Sequence, residues 1–247
     1  MKIAVISDIH GNLEALKAVL ADIEQKGADQ IFCLGDIVGY GPYPSECLNL
    51  LSEIGVGIIG GNHEEMACNF EEWKHKLINI PALKGIGHTV KCLSQNQMEF
   101  LKKLPDSLSL FDMDITFAHG GFSEPQRWAF IGGWQDAKNQ LEFLLTKTGV
   151  CGHTHRPFVF ISGYDEFFRK QVRDLDFDQD EKFIFNVGSV GQPRDGDPRA
   201  CYGLINYSDE RVSLSIIRVD YDIEKTSRAI KELGLPEISA ERLFEGR

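Results

Sequence analysis

What most constrains this chain is a repeated junction, in which a short apolar run ends in an aspartate, asparagine or histidine set beside glycine. "KIAVIS" (2–7) runs into "DIHG", "IFCLG" (31–35) into "DIVGYG" and "VGIIGG" (56–61) into "NHEE"; "FAHGG" and "GVCGHTH" repeat the pattern further on. Apolar runs of this length, bounded by turn residues, suit buried strands. Between them lie helical stripes. Leu13, Leu16, Leu20 and Ile23 recur at helical spacing after a capping Asn12 and stop at Gly27, and "SECLNLLSEI" (45–54) follows Pro44. Strands alternating with helices at this spacing predict an α/β fold with a largely parallel sheet.

Residues 63–104 read as helical, with breaks near Pro81, Gly85 and Gly87, and "QNQMEFLKKL" (95–104) ends at Pro105. Short strands follow at 107–111 and 114–119, then a helix from about 135 to 147. Beyond residue 157 the pattern turns β-rich: "FVFIS" (158–162), "KFIFNVG" (182–188), "CYGLINYS" (201–208) and "VSLSIIRV" (212–219) predict a second sheet with antiparallel pairs. The charged stretch 164–182 reads as a hairpin or loop insertion, and an amphipathic helix (222–233) precedes a short tail. With no repeat and no polar Gly/Ser/Pro linker, the expected organisation is one domain over 1–247, its core about 1–220 and a C-terminal helix and tail at 221–247.

The formal charge of −11 argues against a nucleic-acid or anionic-membrane binder, whose partners attract lysine and arginine. Six cysteines (Cys33, Cys47, Cys68, Cys92, Cys151, Cys201) stand far apart with no C-x-x-C pair, which fits reduced thiols. The N-terminal apolar run is too short for a signal peptide, and nowhere do ~18 apolar residues run together. A cytoplasmic location with no membrane partner is the expectation.

The junctions also carry chemistry. Asp8 and His10, Asp36, Asn62 and His63, His119, and His153 with His155 all fall at predicted C-terminal strand ends, where the loops of an α/β sheet converge. Each alone is weak evidence, because such residues often cap helices or hydrogen-bond structurally. Together they mix imidazole and carboxylate, the donor set for divalent Mn, Fe, Co, Ni or Zn. If the D-x-H and H-x-H segments are extended, alternate side chains share a face and each pair aims the same way.

In this order, D-x-H, G-D, G-N-H-E, H-G and G-H-T-H resemble the calcineurin-like metallophosphoesterase superfamily. "SDIHGNLEAL", "GDIVGYGP" and "NVGSVGQPRDGDPRACYGL" are more closely similar to its small bacterial and archaeal phosphodiesterase branch. The resemblance runs from residue 3 to about 219. It implies a four-layer αββα sandwich of two mixed sheets and a site for two divalent transition-metal ions (Mn2+, Fe2+, Ni2+, Co2+ or Zn2+). Asp8, His10 and His155 would hold one ion, Asn62, His119 and His153 the other, and Asp36 would bridge, with Thr154 pointing away. It also implies hydrolysis by a hydroxide held between the metals, with His63 assisting the leaving group.

Substrate-binding candidates are Arg194, in "GSVGQPRDGDPR", and Arg127, in the loop after "AHGG"; Tyr40 is placed to line the cleft, while His75 and His88 match no motif and read as structural. Phosphoprotein phosphatases and symmetrical dinucleoside tetraphosphatases of the superfamily show G-D-x-V-D-R-G and R-G-N-H-E. Here Gly39 and Tyr40 stand where the first has Asp and Arg, and Gly60 where the second has Arg. Those arginines suit a dianionic phosphoryl group, so a small phosphodiester is the expected substrate. Competing readings are a phosphomonoesterase or phosphoprotein phosphatase with the same metals, a nuclease, and a metal-binding scaffold module that has lost hydrolysis. The acidic balance argues against the nuclease, and the presence of His63 against the scaffold.

Overall fold

The computed structural model describes residues 1–123, 127–162, 167–168, 175–177, 181–208 and 212–247. Its strands are β1 (Lys2–Ile6), β2 (Gln30–Cys33), β3 (Gly57–Ile58), β4 (Ser107–Leu110), β5 (Ile115–Ala118), β6 (Thr148–Cys151), β7 (Phe158–Ile161), β8 (Phe167–Phe168), β9 (Leu175–Phe177), β10 (Phe183–Asn186), β11 (Ala200–Tyr207) and β12 (Val212–Val219). The helices are α1 (Leu13–Lys26), α2 (Pro44–Ile54), α3 (Asn62–Cys68), α4 (Phe70–Trp73), α5 (Ile80–Cys92), α6 (Gln95–Leu101), α7 (Trp134–Leu141), α8 (Ile223–Glu232) and α9 (Glu237–Glu245).

Two mixed sheets form, ordered β3-β2-β1-β11-β12-β9 and β4-β5-β6-β10-β7-β8. β1, β2 and β3 are mutually parallel, as are β5, β6 and β10; the remaining pairs are antiparallel. The two-residue period of a strand then builds the layers. Along β1, Ile3 and Val5 point into the apolar space between the sheets, against Phe117, Val150 and Phe185. Ala4 and Ile6 point the other way, against Leu16, Val19 and Leu48 of α1 and α2. On the outer face of the second sheet, Phe158, Phe160 and Ile184 pack with Ala137 of α7. Helix, sheet, sheet, helix is the αββα sandwich, as expected.

Several expectations need correction. The strands after residue 157 do not make a sheet of their own: β7 and β10 join β4, β5 and β6, while β11 and β12 join β1. Most of the stretch 164–182 lies outside the described residues. Its two described strands do not pair as a hairpin, since β8 lies on β7 in one sheet and β9 on β12 in the other. α5 is unbroken through Gly85 and Gly87, and Pro81 sits in its first turn, where a missing N–H is harmless. Gly85 serves close packing, because a Cβ there would lie 2.2 Å from the Tyr40 nitrogen. The helix expected to reach residue 147 stops at Leu141. The tail is itself helical, since Ala240 and Leu243 of α9 close an apolar cluster with Ile230 and Leu235. Among the described residues no helix is long and apolar enough to cross a membrane.

Candidate metal centre

Every candidate ligand follows a parallel strand. Asp8 and His10 leave β1, Asp36 leaves β2, Asn62 and His63 open α3 just after β3, His119 leaves β5, and His153 and His155 leave β6. The C-terminal edges of the two sheets therefore face one another, and side chains from both meet. Asp8, His10 and His155 form one group of potential ligand atoms, Asp36, His119 and His153 a second, and His10, Asp36 and His63 a third, each within 4.8 Å. Asn62 belongs to the second group, with its Oδ1 3.1 Å from His119 Nε2.

The loops reach this arrangement by a different route from the extended one expected. Asp8, His10, Asp36, His153 and His155 all have left-handed backbones, with φ of 53, 49, 51, 64 and 57°. Cross-links between turns hold them: the Asp8 N–H donates to Gly35 O (3.1 Å), that of His10 to Asp36 O (2.9 Å), and that of His153 to Asp8 Oδ2 (3.0 Å). Thr154 does turn away, its hydroxyl meeting Asn186 Nδ2 at 3.2 Å.

Hydrogen bonding fixes what the imidazoles present. The Nδ1 atoms of His10, His119 and His155 lie 3.0, 2.8 and 2.6 Å from the carbonyls of Val38, Leu34 and Gln192. A carbonyl only accepts, so each Nδ1 carries a proton, and in the neutral rings of His10 and His155 each Nε2 is a bare lone pair. His10 Nε2 and His155 Nε2 nevertheless lie 3.2 Å apart. Asp8 Oδ1, buried with no hydrogen-bond partner, is 3.2 Å from the second of these. Three acceptors converge with no proton among them, which suits a cation.

In the second group His119 Nε2 faces Asp36 Oδ2 at 3.3 Å, Asn62 Oδ1 at 3.1 Å and His153 Nδ1 at 3.1 Å. One proton there could point to one of the three, whereas a divalent ion serves all. The same Asp36 Oδ2 is 3.8 Å from His10 Nε2, so a single oxygen looks into both groups. The residues present thus fit a dinuclear divalent-metal site.

The electrostatics of the protein atoms lead to the same place. Burial pushes the Asp8 carboxyl up to about 6. Burial works upward on Asp36 too, but His119 and His63 opposite hold it well below the usual carboxylate range. Burial opposes charge on His119, and facing Asp36 outweighs it, raising the imidazole to about 9. Burial takes His153 down to about 3 and leaves His10 and His155 well below their usual value. The neutral imidazoles of His10, His153 and His155 beside an ionised Asp36 are metal-ready ligands, and the proton that Asp36 favours on His119 is one that a cation would displace.

His63 is 4% exposed, with Nε2 3.9 Å from Asp36 Oδ2 and Nδ1 unpartnered. Its ring lies against Gly39, where a Cβ would sit 2.0 Å from Nδ1. Tyr40, 6% exposed, packs against both His10 and His63, with ring centroids 4.8 and 4.9 Å away. Of the two arginines, Arg194 stacks its guanidinium 5.7 Å from the Tyr40 ring centre. Arg127 is instead drawn to Asp106 (2.9 Å) and Glu65 (3.1 Å). His75 and His88 lie outside the groups, His88 bonding to Pro42 O at 2.9 Å.

Two supporting residues escaped the sequence reading. Glu64 accepts from the backbone N–H of Asp36 (2.7 Å), Ile37 (2.8 Å), Val38 (3.2 Å) and Gly61 (2.8 Å), tying the Asp36 loop to the start of α3. The signal was a carboxylate three residues after Gly61, the position from which a side chain folds back on a helix start. Asn186, the last residue of β10, donates to Gly152 O and Thr154 Oγ1 and so braces the turn holding His153 and His155. It opens the "NVGSVGQ" stretch after an apolar run, but with Val187 rather than glycine beside it the junction pattern does not single it out.

Comparison with known proteins agrees. The description "Calcineurin-like phosphoesterase superfamily domain" fits residues 1–210. An uncharacterized protein of Methanocaldococcus jannaschii is 37% identical over 247 residues, 99% of this chain and 98% of that one. Phosphodiesterase YfcE of Escherichia coli is 30% identical over 207 residues, 83% and 88% of the two chains. The crystal structure of a metallophosphoesterase from Sphaerobacter thermophilus is 35% identical, with a TM-score of 0.84 over 100% of both chains. With its sandwich fold, its paired cation-ready groups and this match over most of its length, the chain belongs to the calcineurin-like phosphoesterase superfamily and is a metal-dependent phosphoesterase.

Proposed function

We propose that this chain is a cytoplasmic phosphodiesterase acting on a small phosphoester. Asp8, His10 and His155 would hold one metal ion and Asn62, His119 and His153 the other, with Asp36 facing both groups. The observation that carries the metal assignment is the meeting of His10 Nε2, His155 Nε2 and unpartnered Asp8 Oδ1 with no proton among them. When bound, the two ions supply Lewis acidity toward the phosphoryl oxygens and a water acidic enough to attack at neutral pH.

The chain's own residues do the rest. His63 Nδ1 is buried without a partner, and an orphaned acceptor is tolerated better than an orphaned N–H, so the proton belongs on Nε2, facing the cluster. From there the Nε2–H donates a hydrogen bond to the departing oxygen and stabilises its developing charge. Arg127 is committed to two carboxylates, which leaves Arg194 as the arginine that meets substrate.

The diester preference rests on Gly39, Tyr40 and Gly60, which stand where phosphatase branches carry an aspartate and two arginines, and on the 30% identical relative named a phosphodiesterase. Without a carboxylate behind His63 or a fork of arginines, the site suits a phosphoryl group with one fewer charge. The test is metal-stripped protein reloaded with Mn2+, Fe2+, Ni2+ or Zn2+ and assayed on bis(p-nitrophenyl) phosphate and p-nitrophenyl phosphate. A higher kcat/KM for the diester is expected. A strong monoester preference with every metal overturns the reading.

A further inference from the structure

Among the described residues Arg194 faces no counter-ion. Arg127, Arg199 and Arg218 each pair with a carboxylate, and Asp195, next in sequence to Arg194, is taken by Arg218. Among the described residues Arg194 has no ion pair. Its Nη2 donates to the neutral Oε1 of Gln192 at 2.6 Å, and its buried Nε has no acceptor among the described residues. The backbone is pinned on both sides, the Arg194 N–H donating to His155 O (3.1 Å) and Arg156 Nε donating to Arg194 O (2.8 Å). A held, half-buried guanidinium with an unused donor is costly unless an anion meets it.

The fold does not need a cation there. With two divalent ions bound, Asp8 and Asp36 would offset only half their charge, so the cleft would be cationic before Arg194 is counted. What fixes the guanidinium is Tyr40, itself held in a left-handed backbone at φ 53°. A bulky aromatic in that region is strained, and such outliers gather at sites of function. Arg194 lies over the Tyr40 ring at 5.7 Å, and the ring of His63 lies 4.9 Å from the same aromatic. Arg194 and His63 therefore flank one side chain.

We infer that Arg194, steered by Tyr40 and Gln192, is a specificity-determining anion site that selects diesters whose leaving group carries a second phosphate. The side on which that phosphate lies rests on the proposed reading, in which His63 faces the leaving oxygen. The planar fork of arginine matches two phosphate oxygens, which a lysine cannot reproduce. Tyr40 is a positioning residue.

The test uses the full chain loaded with Mn2+, titrated calorimetrically with inorganic phosphate and with pyrophosphate, alongside a measurement of bound metal. Wild type binds pyrophosphate tighter than phosphate. In Arg194→Met that preference falls about ten- to hundredfold, the size of a charged hydrogen-bond pair, with metal content unchanged. Arg194→Lys recovers part of it. Tyr40→Phe, which keeps the ring, retains the preference and Tyr40→Leu does not, a rescue that a merely structural tyrosine would not produce. In turnover, alkyl diesters differing only in a terminal phosphate on the leaving alcohol, followed by phosphorus NMR, should lose their difference in Arg194→Met. An unchanged pyrophosphate preference in Arg194→Met overturns the inference, and so does an equal loss for both anions, which would put Arg194 on the scissile phosphoryl group. If wild type hydrolyses neither diester while Arg194→Met still abolishes the pyrophosphate preference, the phosphodiesterase reading fails and the anion site stands.

Discussion

Glu64→Gln isolates the support beneath the bridging carboxylate. Burial first, and then the charge of Asp36, push the Glu64 carboxyl up to about 7, while four backbone N–H groups favour its ionised form. Glutamine keeps one oxygen and puts an amide NH2 where the other was. Whichever oxygen is lost, two buried N–H donors lose their acceptor: those of Asp36 and Gly61, or those of Ile37 and Val38. At about 1–3 kcal/mol for each unsatisfied donor, a loss near 3 kcal/mol is expected. For a chain of 247 residues that lowers Tm by about 6–12 °C. Because Asp36 then loses its anchor, Mn2+ affinity should fall about ten- to hundredfold, the usual effect of removing a group that orients a ligand. Melting curves of metal-stripped protein measure the first effect and Mn2+ titration the second. A Glu64→Gln protein that melts within about 2 °C of wild type and binds Mn2+ as tightly would refute the argument that this carboxylate sets the Asp36 loop.

Other perturbations separate the roles. His63→Ala should keep its metal by elemental analysis yet lose about 10²–10⁴ in turnover of a diester with an alkyl leaving group, the range for a positioned acid. Asp36→Asn should emerge from purification depleted in metal, because one oxygen facing both groups loses its charge. Gly39→Ala should cut turnover without emptying the metal site, since its Cβ would fall 2.0 Å from His63 Nδ1 at a φ of 85° and drive that ring out of place; kcat on the metal-loaded protein reports it. Asp197, held below the usual carboxylate range first by its hydrogen bond to Arg199, adds stability that is present above its unfolded pKa and lost as pH falls through the lower folded one. Asp197→Asn should therefore be less stable than wild type at pH 7, with the gap in urea midpoints closing below about pH 4.

The ligand set was legible because it interrupts a strong pattern. A polar residue that ends an apolar strand run next to glycine stands out, and repetition of that junction marks Asp8, His10, Asp36, Asn62, His119, His153 and His155, the candidate ligands that the fold brings together. Strand positions were legible for the same reason, Val212–Val219 to the residue. Sheet membership was not. β10 and β11 read alike, yet one lies parallel to β6 and the other antiparallel to β1, a difference of long-range pairing that a strand's own alternation does not encode. Arg127 and Arg194 were likewise indistinguishable in sequence. Their difference lies in Glu65 and Asp106, which neutralise the first and have no counterpart at the second among the described residues.

The backbone of the ligands was the least legible feature, and it bears most on how the site works. Five candidate ligands sit in left-handed turns although none is glycine. Each such residue costs on the order of 1 kcal/mol, less for aspartate and histidine than for branched side chains, so the loops together hold about 5 kcal/mol of strain. That is comparable to the whole stability of many domains. An extended D-x-H segment would avoid the strain, but it would leave the turns unable to cross-link as Asp8 to Gly35, His10 to Asp36 and His153 to Asp8 do. Those bonds couple strands of both sheets through the ligands themselves. Removing one ligand therefore loosens its neighbours, and the effects of Asp8→Ala and His153→Ala on Mn2+ affinity should be strongly non-additive, as expected of residues sharing one network. A double-mutant cycle giving simple additivity would mean that each turn is held by its own strand alone, and the strain would then have no shared support.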